Sequence, residues 1–306
     1  MTAPAVTIVE VGPRDGLQNE TAAISTADKV RFVDALSAAG HRVIEVSSFV
    51  SPRWVPQMAD AADVFAGITR RPGVRYTALV PNLPGLERAI AARVSEVAVF
   101  AAASETFSTR NINQSIDDSL ARYAEVIARA LAAGLRVRGY VSCAFGCPFE
   151  GPVPPPAVLR VTRALLDAGV YEVAVSDTIG IGHPGQVREL LAFLGAELPF
   201  DRLALHFHDT RGTALANVLA ALDAGITTFD ASAGGLGGCP FAPGASGNLA
   251  TEDLLYMLDG LGVTTGVSLA GVAAASEMLA ASLDHPLRSR YLQGARATRA
   301  RTASGR

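Results

Sequence analysis

Short runs of apolar and β-branched residues alternate along this chain with longer stretches in which apolar positions return every three to four residues. The short runs predict strands at 6–11, 42–47, 75–80, 96–101, 136–143, 172–176, 203–208 and 227–231, and the longer stretches predict helices between them. Start signals support the helices. Ser25-Thr26-Ala27-Asp28 has the form of a capping box, and Ser115 stands before the amphipathic run IDDSLARYAEVIARALAAG. Stop signals recur as Ala-Gly just ahead of a strand, at Ala39-Gly40, Ala133-Gly134, Ala168-Gly169 and Ala224-Gly225. Eight strand–helix units in about 250 residues match a (β/α)₈ TIM barrel of the α/β class in number and size. The rival is an open doubly wound sheet, which usually has fewer strands; no Gly-x-Gly-x-x-Gly follows the first strand here.

Beyond the eighth strand, 251–258 and 267–281 read as the last barrel helix and a C-terminal accessory helix, so residues 1–287 are expected to form the barrel domain. Residues 288–306 are rich in Arg, Ala, Thr and Ser with little to bury, and are expected to be a frayed tail. Their arginines lack interleaved aromatics, so no nucleic-acid partner is expected. The 306 residues carry 49% hydrophobic content and a formal net charge of −3, the profile of a globular chain. No run of about 20 apolar residues would span a bilayer, and MTAPAVTIVEVG enters the strand pattern with neither a basic leader nor a cleavage site. A cytoplasmic protein with no membrane partner is the expectation. Three cysteines, with Cys143 and Cys147 four apart, suit neither a disulfide framework nor a structural zinc, and Cys143 and Cys147 fit packing better than catalysis.

A barrel places its chemistry at the carboxyl ends of its strands. Those ends hold Arg14 and Asp15, then Glu45, Ser47 and Ser48, Asn82, Ser104 and Glu105, Ser142 and Cys143, Asp177 and Thr178, and finally His206 and His208. In a strand, His206 and His208 project to the same face, and two imidazoles inside a barrel are costly without partners, so they are expected to bind one metal ion. Asp15 can face them across the barrel, and Asn248 offers a neutral carbonyl from beyond the eighth strand. Two imidazoles, a carboxylate and an amide oxygen suit Mg²⁺ or Mn²⁺, with Zn²⁺ as the alternative. By contrast, His41, His183 and His285 each lie beside Gly or Pro at a helix end or loop, where a solvated or capping role is expected.

The segments VEVGPRDGLQNE (9–20), VIEVSSFVSPRWVPQMAD (43–60), AASETFSTRNIN (102–113), VSCAFGCPFEG (141–151), SDTIGIG (176–182), HFHDT (206–210) and GGLGGCPFAPGASGNLATED (234–253) resemble 3-hydroxy-3-methylglutaryl-CoA lyase, in order and over nearly the whole chain. The Arg-Asp pair and His-x-His are shared with wider relatives that condense acetyl-CoA with 2-oxo acids, whereas the glycine-rich loop with Cys239 follows the lyase pattern. The resemblance implies metal-dependent cleavage of the thioester to acetyl-CoA and acetoacetate, a place in leucine degradation, an acyl-CoA substrate and a homodimer.

Retro-aldol chemistry needs a base, a Lewis acid and a sink for enolate charge. Arg14 fits the sink; its structural alternative is an ion pair to Glu45 or Asp177. Cys239 is implied by the resemblance as a catalytic acid/base, against packing as a small apolar residue. Glu45, Asp177 and His206 are expected to carry protons or orient neighbours, and Gln18, Asn19 and Thr178 to touch substrate. Glu252 either returns to this site or marks the start of the next helix. Pro84 and Thr21 stand where the resemblance leads one to expect basic residues that meet coenzyme A, and Arg53, Arg75 or Arg110 are the compensating candidates. A lyase for a longer 3-alkyl-3-hydroxyglutaryl-CoA is the alternative. An acetyl-CoA-dependent condensing enzyme is less favoured, and a non-catalytic scaffold is disfavoured by the intact ligands.

Overall fold

A computed structural model describes residues 5–238 and 247–303. Eight parallel strands close a barrel in chain order: β1 (Thr7–Glu10), β2 (Val43–Ser48), β3 (Arg75–Leu79), β4 (Glu96–Ala102), β5 (Arg136–Ser142), β6 (Glu172–Asp177), β7 (Leu203–Phe207) and β8 (Thr228–Ala231). Closure is direct, with Thr7 opposite Thr228 and Glu10 opposite Ala231. Every strand lies where the apolar runs predicted it, to within a residue at either end. The TIM-barrel expectation is met.

Helices α1 (Thr26–Ala38), α2 (Ala61–Gly67), α3 (Leu83–Ala91), α4 (Glu105–Ile112), α5 (Ile116–Ala132), α6 (Pro155–Asp167), α7 (Pro184–Gly195), α8 (Ala214–Ala224) and α9 (Thr251–Gly260) surround the strands. Ser25 caps α1 by accepting from Asp28 N, and Ser115 caps α5 by accepting from Asp118 N. After α1 the chain turns at Gly40 with φ +105°, where an added Cβ would lie 2.4 Å from the Gly266 carbonyl oxygen. The chain there runs against the segment leading into α10 (Leu269–Ala280), the expected accessory helix, which packs on α1. Helix α4 was not anticipated. Ser104 caps it and Asn113 ends it in a left-handed turn, φ +53°, so a short helix fits between β4 and α5.

The expectation of a frayed tail over 288–306 is corrected for its described residues. Residues Arg290–Ala303 form helix α11. Asp253 sets its start: Oδ1 accepts from Ser289 Oγ at 2.7 Å and Tyr291 N at 2.9 Å, and Oδ2 from Arg290 N at 3.0 Å. One buried side chain, Leu292, and a ring contact between Tyr256 and Tyr291 complete the anchor. Composition averaged over the tail hides so local a device, because the cap is made by a carboxylate far away in sequence.

Along the barrel interior, Val9, Val11 and Val43 form one cluster, and Leu79, Ala98, Tyr140, Ala174 and Ala204 another. The small alanines leave room for the Tyr140 ring. Arg138, 2% exposed, is held by Glu172 at 2.8 Å and Asp230 at 2.8 Å. Such a buried guanidinium is tolerable only when paired, since removing one partner costs about 3–5 kcal/mol.

Candidate metal centre and active site

The carboxyl ends of the strands open into a cavity of about 690 Å³. Arg14, Asp15, Gln18, His206 and His208 line its polar side; Leu79, Phe100, Phe107, Tyr123 and Tyr140 line an apolar wall. Arg14 and Asp15 sit in a tight helical turn, Gly12–Gly16, directly after β1. There Arg14 Nε donates to Glu45 Oε2 at 2.6 Å and Nη1 to Asp15 Oδ1 at 2.5 Å, while the guanidinium lies 5.5 Å from the centre of the Tyr140 ring. Burial works against its charge, but Glu45 and Asp15 outweigh that and hold its pKa above the ordinary value. The ion pair with Glu45, read from the sequence as an alternative to a site role, therefore coexists with a place in the cavity.

Ligand atoms of Asp15, His206 and His208 lie within 4.8 Å of one another. Burial opposes the Asp15 charge, yet Arg14 and the two imidazoles bring its pKa down to about 2, so it is a carboxylate at neutral pH. Burial, with His206 adding to it, lowers His208 to about 4, leaving a neutral imidazole fit to donate a lone pair. Its Nδ1 is buried without a hydrogen-bond partner, as is Asn248 Oδ1. Asn248 reaches the site because its segment bridges to His208, and its Nδ2 donates to Asp15 Oδ2 at 2.9 Å and Leu236 O at 3.0 Å. Orphaned acceptors beside a carboxylate, the neutral His208 ring and the His206 ring form a donor set that fits a divalent cation.

Sequence reading missed the residue behind His206. Asp230, inward on β8, lies 3.2 Å from His206 Nδ1 and is itself gripped by Arg138. Burial lowers the His206 pKa, but the hydrogen bond to Asp230 and the charges of Asp230 and Asp15 together outweigh this and raise it overall. The contact makes Nδ1–H the donor and turns Nε2 outward, the arrangement that orients metal-binding histidines. The available signal was an acid at an inward position of β8, between Phe229 and Ala231. Replacing Asp230 with Asn should weaken Mn²⁺ binding about 10–100-fold. Titration of free Mn²⁺ by electron paramagnetic resonance would show it, and an unchanged Kd would deny Asp230 this role.

Other expected site residues divide. Gln18 Nε2 donates to Asp15 Oδ1 at 3.0 Å, and Asn19 Nδ2 to Gly238 O at 2.9 Å. Thr178 lines the cavity while its Oγ1 accepts from Cys143 N at 2.7 Å. Cys143 and Cys147 lie buried with Ala102 and Phe107, as packing requires. Glu45 points inward, holds Arg14, and also accepts from Tyr140 OH at 3.3 Å; burial raises its pKa.

Asp177 stands behind the cavity wall. It lies on the opposite face of β6 from the cavity-lining Ser176, and its oxygens accept from Ile181 N and Gly182 N at 3.0 and 2.8 Å, so it orders the loop before α7. Glu252 also turns away from Asn248: within the first turn of α9 it accepts from Gly234 N and Ser276 Oγ. Cys239 lies outside the described residues. Arg110 and Arg122 line the cavity mouth, whereas Pro84 is exposed in the first turn of α3 and Thr21 is bonded to Asp284. Arg75 is excluded as a compensating base, since it begins β3 at the far end of the barrel beside Glu96.

His41, expected in a solvated or capping role, is corrected: it is fully buried, 3.6 Å from Glu10, and burial lowers its pKa to about 4. His183 does cap α7, in a capping box with Gln186. Glu10 accepts from Gly12 N, Ala233 N and Thr251 Oγ1, and so joins the ends of β1 and β8 to α9. Burial nevertheless raises its pKa from 4.5 to about 8. The folded state binds this proton more tightly than the unfolded state, so the associated stability is full below about pH 4.5 and lost as pH rises towards 8. Glu10→Gln, which mimics the protonated carboxyl, should gain stability relative to the native chain across that interval. Urea unfolding at several pH values would reveal it, and parallel pH profiles would contradict it.

A family model described as HMGL-like matches residues 5–279. The chain belongs to the HMGL-like family. This HMGL-like chain is 57% identical over 278 residues to a Pseudomonas aeruginosa protein named 3-hydroxy-3-isohexenylglutaryl-CoA/hydroxy-methylglutaryl-CoA lyase, covering 91% of the chain and 93% of that protein. It is 53% identical over 288 residues to the mitochondrial hydroxymethylglutaryl-CoA lyase of Bos taurus, covering 94% and 89%. The crystal structure of hydroxymethylglutaryl-CoA lyase from Pseudomonas aeruginosa superposes with TM-score 0.95 at 55% identity, covering 97% of this chain and all of that one (100%). An HMG-CoA lyase from Acinetobacter baumannii, solved with coenzyme A and 3-methylmalate, gives 0.90 at 38% identity, covering 94% of each. The carboxyl transferase domain of Rhizobium etli pyruvate carboxylase, 20% identical with TM-score 0.69, shares the fold. Membership makes the HMGL-like chain an enzyme of the lyase class.

Proposed function

We propose that this chain cleaves 3-hydroxy-3-methylglutaryl-CoA to acetyl-CoA and acetoacetate, with Mg²⁺ or Mn²⁺ held by Asp15, His206, His208 and Asn248. The observation that carries this reading is the meeting of Arg14 with that donor set on one side of a cavity large enough for an acyl thioester. A bound divalent ion would supply Lewis acidity that favours transfer of the tertiary hydroxyl proton to a base, the role proposed for the Cys239 thiolate. As the carbon–carbon bond breaks, the hydroxyl oxygen becomes the ketone of acetoacetate and the released electron pair enters the thioester enolate. Arg14, pinned by Glu45 and Asp15, meets the charge growing on that enolate oxygen. His206 faces the cavity with its tautomer set by Asp230, whereas Asp177 serves the fold of its loop.

Cys239 is proposed to return a proton to the acetyl carbanion, completing acetyl-CoA. Cys239→Ser should then lower kcat by about 100-fold or more, the usual scale of a general acid, with Mn²⁺ affinity unchanged; near-normal turnover would return Cys239 to a packing role. Product analysis tests the reaction itself. Equal amounts of acetyl-CoA and acetoacetate support the lyase, whereas net condensation of acetyl-CoA with a 2-oxo acid would favour the condensing alternative.

The apolar wall of Leu79, Phe100, Phe107 and Tyr123 favours a second reading, cleavage of a longer 3-alkyl homologue, and the Pseudomonas aeruginosa relative is named for such a substrate. Comparing kcat/KM for the methyl and isohexenyl thioesters decides between them. A homodimer, a cytoplasmic location and a place in leucine degradation complete the proposal; the dimer and the pathway rest on the family resemblance, and the location on the cysteine pattern.

A further inference from the structure

Away from the barrel mouth, one other group of metal-type side chains converges among the described residues. Glu20, Asp284 and His285 bring a ligand atom each to within 4.8 Å of the others. Glu20 follows the turn that carries Gln18 and Asn19; Asp284 and His285 lie between α10 and α11. The Glu20 side chain is only 6% exposed, while that of His285 is 32% exposed and opens the group to water.

The imidazole is oriented as a ligand would be. His285 Nδ1 lies 3.1 Å from the Pro286 carbonyl oxygen, an acceptor only, so Nδ1 carries a hydrogen and donates. That leaves Nε2 facing Glu20 Oε2 at 2.6 Å. A bare lone pair against a carboxylate oxygen at this distance is repulsive, so the contact requires a positive centre between them. A proton satisfies that one contact. A divalent ion would take the place of that proton once the pair opens to the roughly 3.3 Å that two tetrahedral ligands at about 2.0 Å each require, and would also engage Asp284, which otherwise accepts from Thr21 Oγ1 at 2.9 Å.

We propose that Glu20, Asp284 and His285 form a second divalent-cation site, distinct from the barrel mouth, suited to Zn²⁺. One imidazole and two carboxylates, with water at the exposed side, make a zinc-type shell, and a backbone carbonyl on the far ring nitrogen is the usual support of a zinc-binding histidine. Occupancy would clip residues 265 positions apart, tying the loop at the cavity rim to the connection before α11, and so raise the melting temperature.

The test is Zn²⁺ stoichiometry of the full chain by equilibrium dialysis, with the Zn²⁺-induced Tm shift as a second readout. His285→Ala and Asp284→Asn should each retain one equivalent of Zn²⁺ fewer than the native chain and lose most of the Tm shift. The same one-equivalent difference should persist in a His208→Ala background, which separates this site from the barrel mouth. His183→Ala, which removes an exposed imidazole elsewhere, should leave both readouts unchanged. Native stoichiometry in Asp284→Asn, or an equal loss in His183→Ala, overturns the proposal.

Discussion

Arg14→Gln is expected to lower kcat by about 1,000-fold, the scale of losing a preorganised donor to a developing oxyanion, while Mn²⁺ affinity stays within a few-fold of native. The guanidinium is held on three sides, by Glu45 through Nε and Nη2, by Asp15 through Nη1, and by the face of Tyr140. Those contacts leave an N–H on each terminal nitrogen for the cavity. A donor fixed in this way needs little reorganisation as charge moves onto the substrate. Glutamine keeps some hydrogen-bonding capacity but removes the permanent charge and the planar fork. Arg14→Lys should also fail to restore the rate, because one ammonium cannot hold both carboxylates in the same plane. Steady-state kinetics beside a Mn²⁺ titration separates the outcomes. A kcat near native would remove Arg14 from the chemistry, and a parallel collapse of metal binding would make it a support for Asp15.

His208→Ala should reduce metal affinity by at least about 100-fold, beyond the usual cost of losing a mere supporting partner. The reason lies in its surroundings. His208 is neutral, buried and without a hydrogen bond at Nδ1, so no competing contact accounts for its presence between Asp15 and the Asn248 segment. Turnover should fall with metal content and recover in part at high Mn²⁺, since Asp15 and His206 remain. Unchanged metal content and turnover would show that the ion sits elsewhere.

Much of this molecule was legible in the sequence because its main signals are periodic and local. A strand buried on both sides reads as an apolar run, and eight such runs separated by helices leave few topologies. The alternation of side chains in β7 likewise puts His206 and His208 on one face. What stayed hidden depends on partners distant in the chain. Asp253 caps α11 from 37 residues away or more, so the tail looked unstructured. His41 sits beside Gly40 and looked like a loop residue, yet it is buried against Glu10. Asp177 ends a strand at the expected rim, but its parity directs it outward to backbone amides. Arg138 and Asp230 draw no role from the sequence analysis, because each is held by a partner on another strand, although strand parity places both inside the barrel.

The measurement that tests the account most directly is acetoacetate formation from 3-hydroxy-3-methylglutaryl-CoA by one preparation of the purified chain, assayed with Mg²⁺, with Mn²⁺ and with chelator. The account predicts rapid release with either ion, loss of activity in chelator and recovery when metal is restored. Negligible turnover by folded, metal-loaded protein, or turnover indifferent to chelator, would contradict it.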